Sequence, residues 1–437
     1  LSGHIQLVAP ARTAVKDDSV AERVAAGEAV ERLATALGGA GRVFVPGCAA
    51  EPLTSADAFR AAPQAAAGLT FVGVWIPGVN RTDWAGLHPT ARAESIFVSP
   101  DWRASFEAGR FEFRPLTYAQ AWRWLQTTPL DAGLFQVSPP DAGGLCSLGV
   151  TADFAPAVLG RPMLKIAEVN ARMPPVENAP RVPLDAFDFV VDVDLEPVGY
   201  DPGPADEATL RIARRVLERV PDGATVQLGL GKVGAAVLAA LRERRGLAVH
   251  SGMVTEPLVE LLSERRVDSV TTGTALGSER LRRACADPCA PVRFRPVGYT
   301  HDPRVLAAIP RLVAVNSALQ VDLFGQANAE FAGGRQVSGG GGLLDFLRGA
   351  RASDGGVPVL ALNATAKGGT VSRIVPRLSD GAVSVGRADA GLVVTEHGLA
   401  DLRELDLDAR AEALISVAAP EHRDDLAAAW AALRRRM

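Results

Sequence analysis

The chain has 437 residues, 48% of them hydrophobic and 22% charged, the composition of a globular protein too long for a single core. Its 46 Lys and Arg against 50 Asp and Glu leave a net charge of −4, which excludes a broadly basic nucleic-acid surface or a polybasic membrane patch. No apolar run reaches the roughly 18–20 residues of a membrane span, and four cysteines exclude a disulfide scaffold.

Cys285 and Cys289 form a lone C-x3-C pair, and the six histidines sit in no ligand spacing, so no metal is expected. The N-terminus, Leu1-Ser-Gly-His, carries no signal-peptide pattern. The expectation is a cytoplasmic chain with free thiols and neither a nucleic-acid nor a membrane partner.

In chain order, helical spacing predicts a helix over residues 19–37, closed by Gly38-Gly39. Residues 42–46 read as a strand, Gly47-Cys-Ala-Ala50 as a small-residue turn, and Glu51-Pro52 as the opening of a second helix. Strands follow at 69–76, 132–137 and 163–169, with helices at 119–125 and 154–159 and a turn-rich loop at 138–144. Strands separated by helices imply βαβ units and a largely parallel sheet. The proline-rich stretch from Glu196 to Pro204 reads as a linker, which divides the chain into domains 1–200 and 201–437.

The second half repeats the pattern. A helix at 206–220 leads to a strand at 224–228, then Gly229-Leu-Gly231 and a helix at 233–245. Residues 247–250 read as a strand that runs out into a turn at Ser251-Gly252. Later strands are expected at 310–319, 357–361 and 392–395, and helices at 401–414 and 421–435.

Several stretches suit ligands. Gly229-Leu-Gly-Lys-Val-Gly234 follows a strand and opens a helix, as a phosphate or acyl cradle would, and as a ligand-free tight turn also would. A nicotinamide site is disfavoured, because the next strand ends at His250-Ser251 and not at an acidic residue. Ser338, Gly339, Gly340, Gly341 and Gly342 form a glycine loop that lets backbone approach a ligand, and the apolar Leu343, Leu344 and Phe346 behind it argue against a free linker. Lys367, Gly368, Gly369 and Arg373 sit in a stretch of hydroxyls and cations that suits an anion, with a plain hairpin as the alternative. His397 ends a strand and reads more readily as structural than catalytic. No Ser-His-Asp arrangement carries a recognisable motif.

Together these residues resemble the acetyl-CoA hydrolase/transferase family, which includes 4-hydroxybutyrate and itaconate CoA-transferases. The resemblance rests on Gln136-Val-Ser-Pro-Pro-Asp, Cys146-Ser-Leu-Gly149, Leu164-Lys-Ile-Ala-Glu-Val-Asn170, Val226-Gln-Leu-Gly229, Gly333-Gly-Arg-Gln336, Gly368-Gly-Thr-Val-Ser-Arg-Ile-Val-Pro376 and Val394-Thr-Glu-His-Gly-Leu-Ala-Asp-Leu-Arg403. It implies an α/β fold of two related domains, each with a mostly parallel sheet flanked by helices, and a homodimer or larger assembly. It implies a CoA thioester as substrate with no bound cofactor, and a glutamate that attacks the thioester and carries CoA to an incoming carboxylate.

This chain departs from the family in two places, and in the glycine loop Leu343 stands where members often carry a glutamine. Many members read His-Thr-Glu-Met, with that glutamate as nucleophile, where His250, Ser251, Gly252 and Met253 stand here. Three readings stay open: Glu51 is the nucleophile, Glu256 reaches in from downstream, or no glutamyl intermediate forms. The last would make the protein an acyl-CoA hydrolase or an inactive acyl-CoA-binding module. The expectation is a CoA-transferase for small carboxylates, with an itaconate- or succinate-like acid leading. Gly229, Gly231, His250, Ser251, Gly252, the glycine loop, Lys367, Gly368, Gly369, Arg373 and His397 are the residues expected to bind CoA or substrate.

Overall fold

Short apolar runs that are buried on both faces make strands of a parallel sheet, and this chain supplies them in two sets. The computed structural model describes residues 21–379 and 381–437. Its chain falls into two units, one holding the sequence up to Tyr200 together with Thr271–Tyr299, the other Asp201–Val270 with Thr300–Met437.

The first unit is built on an eight-stranded sheet. Its order is Glu22–Arg23, Phe189–Val193, Leu164–Asn170, Ala132–Val137, Gly41–Val45, Leu69–Gly73, Arg92–Ser95 and Phe111–Phe113. Every pairing is parallel. The chain builds outward in one direction from Gly41–Val45 and then in the other from Ala132–Val137, so the strand order reverses between these two. In open α/β sheets the crevice at such a reversal, outside the carboxyl ends of the strands, is where ligands bind.

In the second unit Leu247–Thr255, Thr225–Leu228, Leu312–Asn316, Val357–Ala361, Leu392–Thr395 and Gly398–Asp401 lie side by side in that order. The pairings are parallel until the last, which is an antiparallel hairpin. Here the order reverses between Thr225–Leu228 and Leu312–Asn316. Val321, Leu347, Leu360, Leu402 and Trp430 belong to one buried cluster of this unit. The fold is therefore α/β with two mostly parallel sheets flanked by helices. Among the described residues no helix is long and apolar enough to cross a membrane.

The two units carry the same buried amide pair at the reversal or beside it. In the first, Asn170 donates to Gln136 at 2.7 Å, and Gln136 lies opposite Glu168. In the second, Asn316 donates to Gln227 at 2.8 Å, and Gln227 lies opposite Ala314. In both, the asparagine stands two residues past the residue that lies opposite the glutamine on the neighbouring parallel strand.

Three local expectations are corrected. The first helix spans Ala26–Leu37, because Glu22 and Arg23 pair with Phe189 and Val190 as an edge strand; Ser19 and Val20 lie outside the described residues. The strand from Leu247 continues to Thr255 with no turn at Ser251-Gly252, since Gly252 is not among the glycines with positive φ and stays extended. Residues 401–406 are not helical. Gly398–Asp401 folds back on Leu392–Thr395, and the helix begins at Leu407, where the Asp406 side chain accepts from Ala409 N at 2.8 Å.

Candidate functional site

Glu51 stands at the carboxyl end of Gly41–Val45, after the one-turn Cys48–Ala50 helix, and so at the strand reversal of the first unit. The turn before it is tightly packed: a Cβ at Gly47 would lie 2.0 Å from the Val74 carbonyl oxygen. Asn80 organises the turn, accepting from Cys48 N at 3.0 Å and donating to Glu51 Oε2 at 2.9 Å. Gln136 Nε2 donates to the Glu51 carbonyl at 3.1 Å. Glu51 is 2% exposed, and its Oε1 is buried with no hydrogen-bond partner. Burial raises its pKa, and Asn80, then Thr82 and Trp84, pull it back.

Two further buried acids lie in this unit. Glu168 accepts from Ser55 N and Oγ at 2.6 and 2.7 Å, and burial pushes its pKa up to about 7. Asp153 faces Cys48 Sγ at 3.4 Å and is likewise raised to about 7 by burial. Burial raises the Cys48 thiol well above its ordinary value, with Asp153 adding to the effect, so this cysteine is held as a neutral thiol.

The second unit presents glycines and imidazoles beside the carboxyl end of Thr225–Leu228, with His250 to Gly252 inside the longer neighbouring strand. His250 Nε2 donates to the Thr300 carbonyl at 3.0 Å, and Ser251 Oγ donates to the Leu228 carbonyl at 3.1 Å. Both are thereby held within the sheet. Gly252 faces a side chain that sequence reading missed: a Cβ there would lie 2.9 Å from His301 Cε1 and 3.1 Å from its Nε2. A Cβ at Gly342 would lie 2.5 Å from the same Nε2. One imidazole therefore brings the departing position and the glycine loop together. His301 is 1% exposed, its Nδ1 lies 2.9 Å from Thr300 Oγ1, and its ring meets Phe346 at 4.5 Å between centroids. Burial, with His250 adding to it, lowers its pKa to about 3, so the ring is neutral.

The glycine loop runs from a two-residue-stranded hairpin, Phe331–Ala332 with Arg335–Gln336, into the helix Leu343–Ala352. Gln336 Nε2 bridges Glu330 Oε2 at 3.1 Å and the Ser338 carbonyl at 2.6 Å, while Ser384 donates to Glu330 Oε1 at 2.8 Å. Gly341 takes a φ of 54°, and Gly342 caps the helix with no side-chain hydrogen bond.

The other predicted residues are placed as follows. Gly229 and Gly231 form the tight strand–helix turn: Gly231 has a φ of 118°, and a Cβ at Gly234 would lie 1.9 Å from the Gly229 carbonyl oxygen. Gly229 and Ser251 line one small crevice with Leu228 and Thr255. Glu256 lies past the end of the strand, where its carbonyl accepts from Val259 N at 3.1 Å; four extended residues from Gly252 span roughly 13 Å. Lys367, Gly368 and Gly369, all at positive φ, form the tip of the hairpin Thr365–Ala366 with Val371–Ser372, and Arg373 follows its return strand. His397 sits at the turn after Leu392–Thr395, 3.8 Å from Glu396 Oε1. The only signal around His301 in the sequence was Asp302-Pro303, which marks a helix start and no chemistry.

Sequence profiles place this arrangement. The acetyl-CoA hydrolase/transferase N-terminal domain matches residues 59–199, and the C-terminal domain of the same family matches residues 277–430. A 4-hydroxybutyrate coenzyme A transferase from Clostridium kluyveri is 31% identical over 397 residues, covering 88% of this chain and 92% of the relative. The crystal structure of RipA from Yersinia pestis is 30% identical with a TM-score of 0.86, covering 94% of this chain and 98% of that one. An acetyl-CoA hydrolase from Yarrowia lipolytica is 24% identical, over 82% of this chain and 78% of the relative. Two parallel sheets of this order, the family's two domain profiles and these relatives lead to one conclusion: the chain belongs to the acetyl-CoA hydrolase/transferase family.

Proposed function

We propose that the protein transfers CoA between an acyl-CoA and a small carboxylate through a glutamyl-CoA thioester on Glu51. The observation that carries this reading is a buried carboxylate at a strand reversal, held by Asn80 through one oxygen and faced by Thr82 and Trp84. Glu51 attacks the thioester carbonyl, the C–S bond breaks, and CoA leaves as a thiolate. The thiolate then attacks the glutamyl carbonyl of the mixed anhydride and expels the donor acid. The acceptor carboxylate reverses the two steps and regenerates Glu51. Reaction there requires Thr82 and Trp84 to part from a side chain that is 2% exposed.

The Ser338–Gly342 loop is assigned to substrate binding, because glycine lets backbone N–H groups approach a ligand closely. An itaconate- or succinate-like acid is the proposed acceptor, in keeping with relatives named for 4-hydroxybutyrate and succinyl-CoA. Free cysteines fit a cytoplasmic setting. The hydrolase reading is favoured by one observation, that Gly252 offers no carboxylate at the glycine loop.

The test is intact-protein mass after succinyl-CoA and then borohydride, on wild type, Glu51→Gln and Glu256→Gln. A glutamyl thioester is reduced to the alcohol, a loss of about 14 Da as one oxygen gives way to two hydrogens. The expected loss maps to Glu51 and is absent from Glu51→Gln. Thioester consumption into water, with no mass change, would replace the transferase reading by the hydrolase.

A further inference from the structure

We propose that Asn80 is a catalytic residue of the first unit, whose Nδ2–H holds the carbonyl oxygen of the glutamyl intermediates on Glu51. This rests on the reading that Glu51 carries CoA as a thioester.

Three features carry it. The first is that the amide can point only one way. Asn80 Oδ1 accepts from Cys48 N and Ile76 N, each at 3.0 Å, and Nδ2 donates to the Cys48 carbonyl at 3.1 Å. A backbone N–H only donates and a carbonyl only accepts, so exchanging the ends of the amide would break all three bonds. The remaining Nδ2 proton meets Glu51 Oε2, at 2.9 Å. All the hydrogen-bonding places of this side chain are thus filled, at 0% exposure.

The second is that both partners are fixed from behind. Ile76 to Val79 form a tight turn in which Val79 N donates to Ile76 O at 3.0 Å and Gly78 takes a φ of 79°, as a type II turn requires after Pro77. Asn80 N returns to the same carbonyl at 2.9 Å. The Glu51 carbonyl accepts from Leu53 N at 3.0 Å as well as from Gln136. A donor held in this way needs no reorganisation when charge develops beside it.

The third is which oxygen the chemistry leaves in place. Attack through Oε1, the oxygen that Asn80 does not hold, makes Oε1 the bridging atom of the anhydride and leaves Oε2 as the glutamyl carbonyl. The CoA thiolate adds to Cδ, the C=O pair moves onto Oε2, and the Cδ–Oε1 bond breaks to release the donor acid. The acceptor carboxylate then adds to Cδ of the thioester, and charge develops on Oε2 again as the thiolate leaves. At 2.9 Å, Asn80 Nδ2 stands within the range of a donor that stabilises such an oxyanion. No proton is transferred, so Asn80 ends each step as it began.

The test loads full-length wild type and Asn80→Ala with succinyl-CoA, removes free nucleotide, and follows the Glu51 adduct by intact mass as succinate is added. Succinate is the acid whose thioester formed the adduct, so it must be able to reverse it. Asn80→Ala is expected to form the adduct on prolonged incubation and to lose it about 10²–10³-fold more slowly than wild type. A loss within about threefold of wild type overturns the proposal. Failure of the transferase reading looks different: wild type itself shows no adduct on Glu51, and the role of Asn80 falls with it.

Because Asn80 also braces the turn, a second measurement reads the bond in wild-type protein. With 13C at the glutamate Cδ, isotope-difference infrared spectra isolate the carbonyl stretch of the glutamyl thioester. It is expected below that of a 13C-labelled alkyl thioester in an aprotic solvent, as a hydrogen-bonded carbonyl requires. A wild-type band at the aprotic frequency sinks the inference, whatever the variant does.

Discussion

The two units are braced by like amide pairs and filled differently around them. Both hold a Gln–Asn amide pair in the same register. Around it the first unit buries acids, with Glu51, Asp153 and Glu168 all raised by desolvation. The second buries neutral imidazoles against glycine backbone, with His250 and His301 both lowered by the same cause. One framework thus serves to keep carboxyls protonated more easily in one place and imidazoles unprotonated in the other. The difference shows that fold sets where side chains meet, while the choice of residue sets what charge they can bear.

The largest effect should come from the tightly packed turn before Glu51. In Gly47→Ala the new methyl would meet a backbone carbonyl at 2.0 Å, which has no way to move aside. We expect a loss of about 3 kcal/mol or more in urea unfolding, or no soluble protein. A loss under about 1 kcal/mol would mean that the turn is looser than described.

The next effect is a pair of opposite pH slopes. Glu168 is raised to about 7, so the folded chain keeps a proton that the unfolded chain releases. That contribution is complete below the ordinary glutamate value and is lost as pH rises to about 7. Glu168→Gln should remove up to about 3 kcal/mol of this falling slope. His301, lowered to about 3, has the reverse sign: its contribution is complete above the ordinary histidine value and is lost as pH falls. Between about pH 4.5 and 7 the two slopes oppose each other, so unfolding midpoints in Glu168→Gln should rise more, or fall less, with pH than in wild type, with no difference in slope above about 7. An unchanged profile would place that carboxyl in contact with water.

The smallest effect tests whether one ring ties Gly252 to the glycine loop. Gly342→Ala should lose about 1–3 kcal/mol, because the methyl meets the His301 ring at 2.5 Å. In Gly342→Ala/His301→Ala the losses should fall short of additivity by about 1 kcal/mol. Additive losses would mean that ring and loop do not touch.

Much of this framework is legible in the sequence, for physical reasons. Ala132–Val137, Val357–Ala361 and Leu392–Thr395 are short apolar runs bounded by turn residues, and they form strands at the expected residues. Arg92–Ser95 and Phe111–Phe113 went unseen because they are brief and carry charge, and only pairing at the sheet edge makes them strands. Gly252 next to Ser251 reads as a turn until the strand holds it extended. Glu51 stands out because it follows a strand and opens a helix. His301 does not, because its meaning depends on the missing side chains of two glycines distant in the chain.

The amide pair also serves as a ruler. Counted along the register from Phe44 opposite Gly133, Gly47 comes opposite Gln136; counted from Val226 opposite Val249, His250 comes opposite Gln227. The two stretches that carry the candidate chemistry, Gly47 to Glu51 and His250 to Val254, therefore each lie level with the amide pair of their own sheet. The likeness is one of level and not of chain order: Gly41–Val45 precedes the strand that carries Gln136, whereas Leu247–Thr255 follows the strand that carries Gln227. Beside one pair the stretch carries an acid, and beside the other a glycine with a histidine packed over it, so a single kind of amide brace accommodates two unlike fillings.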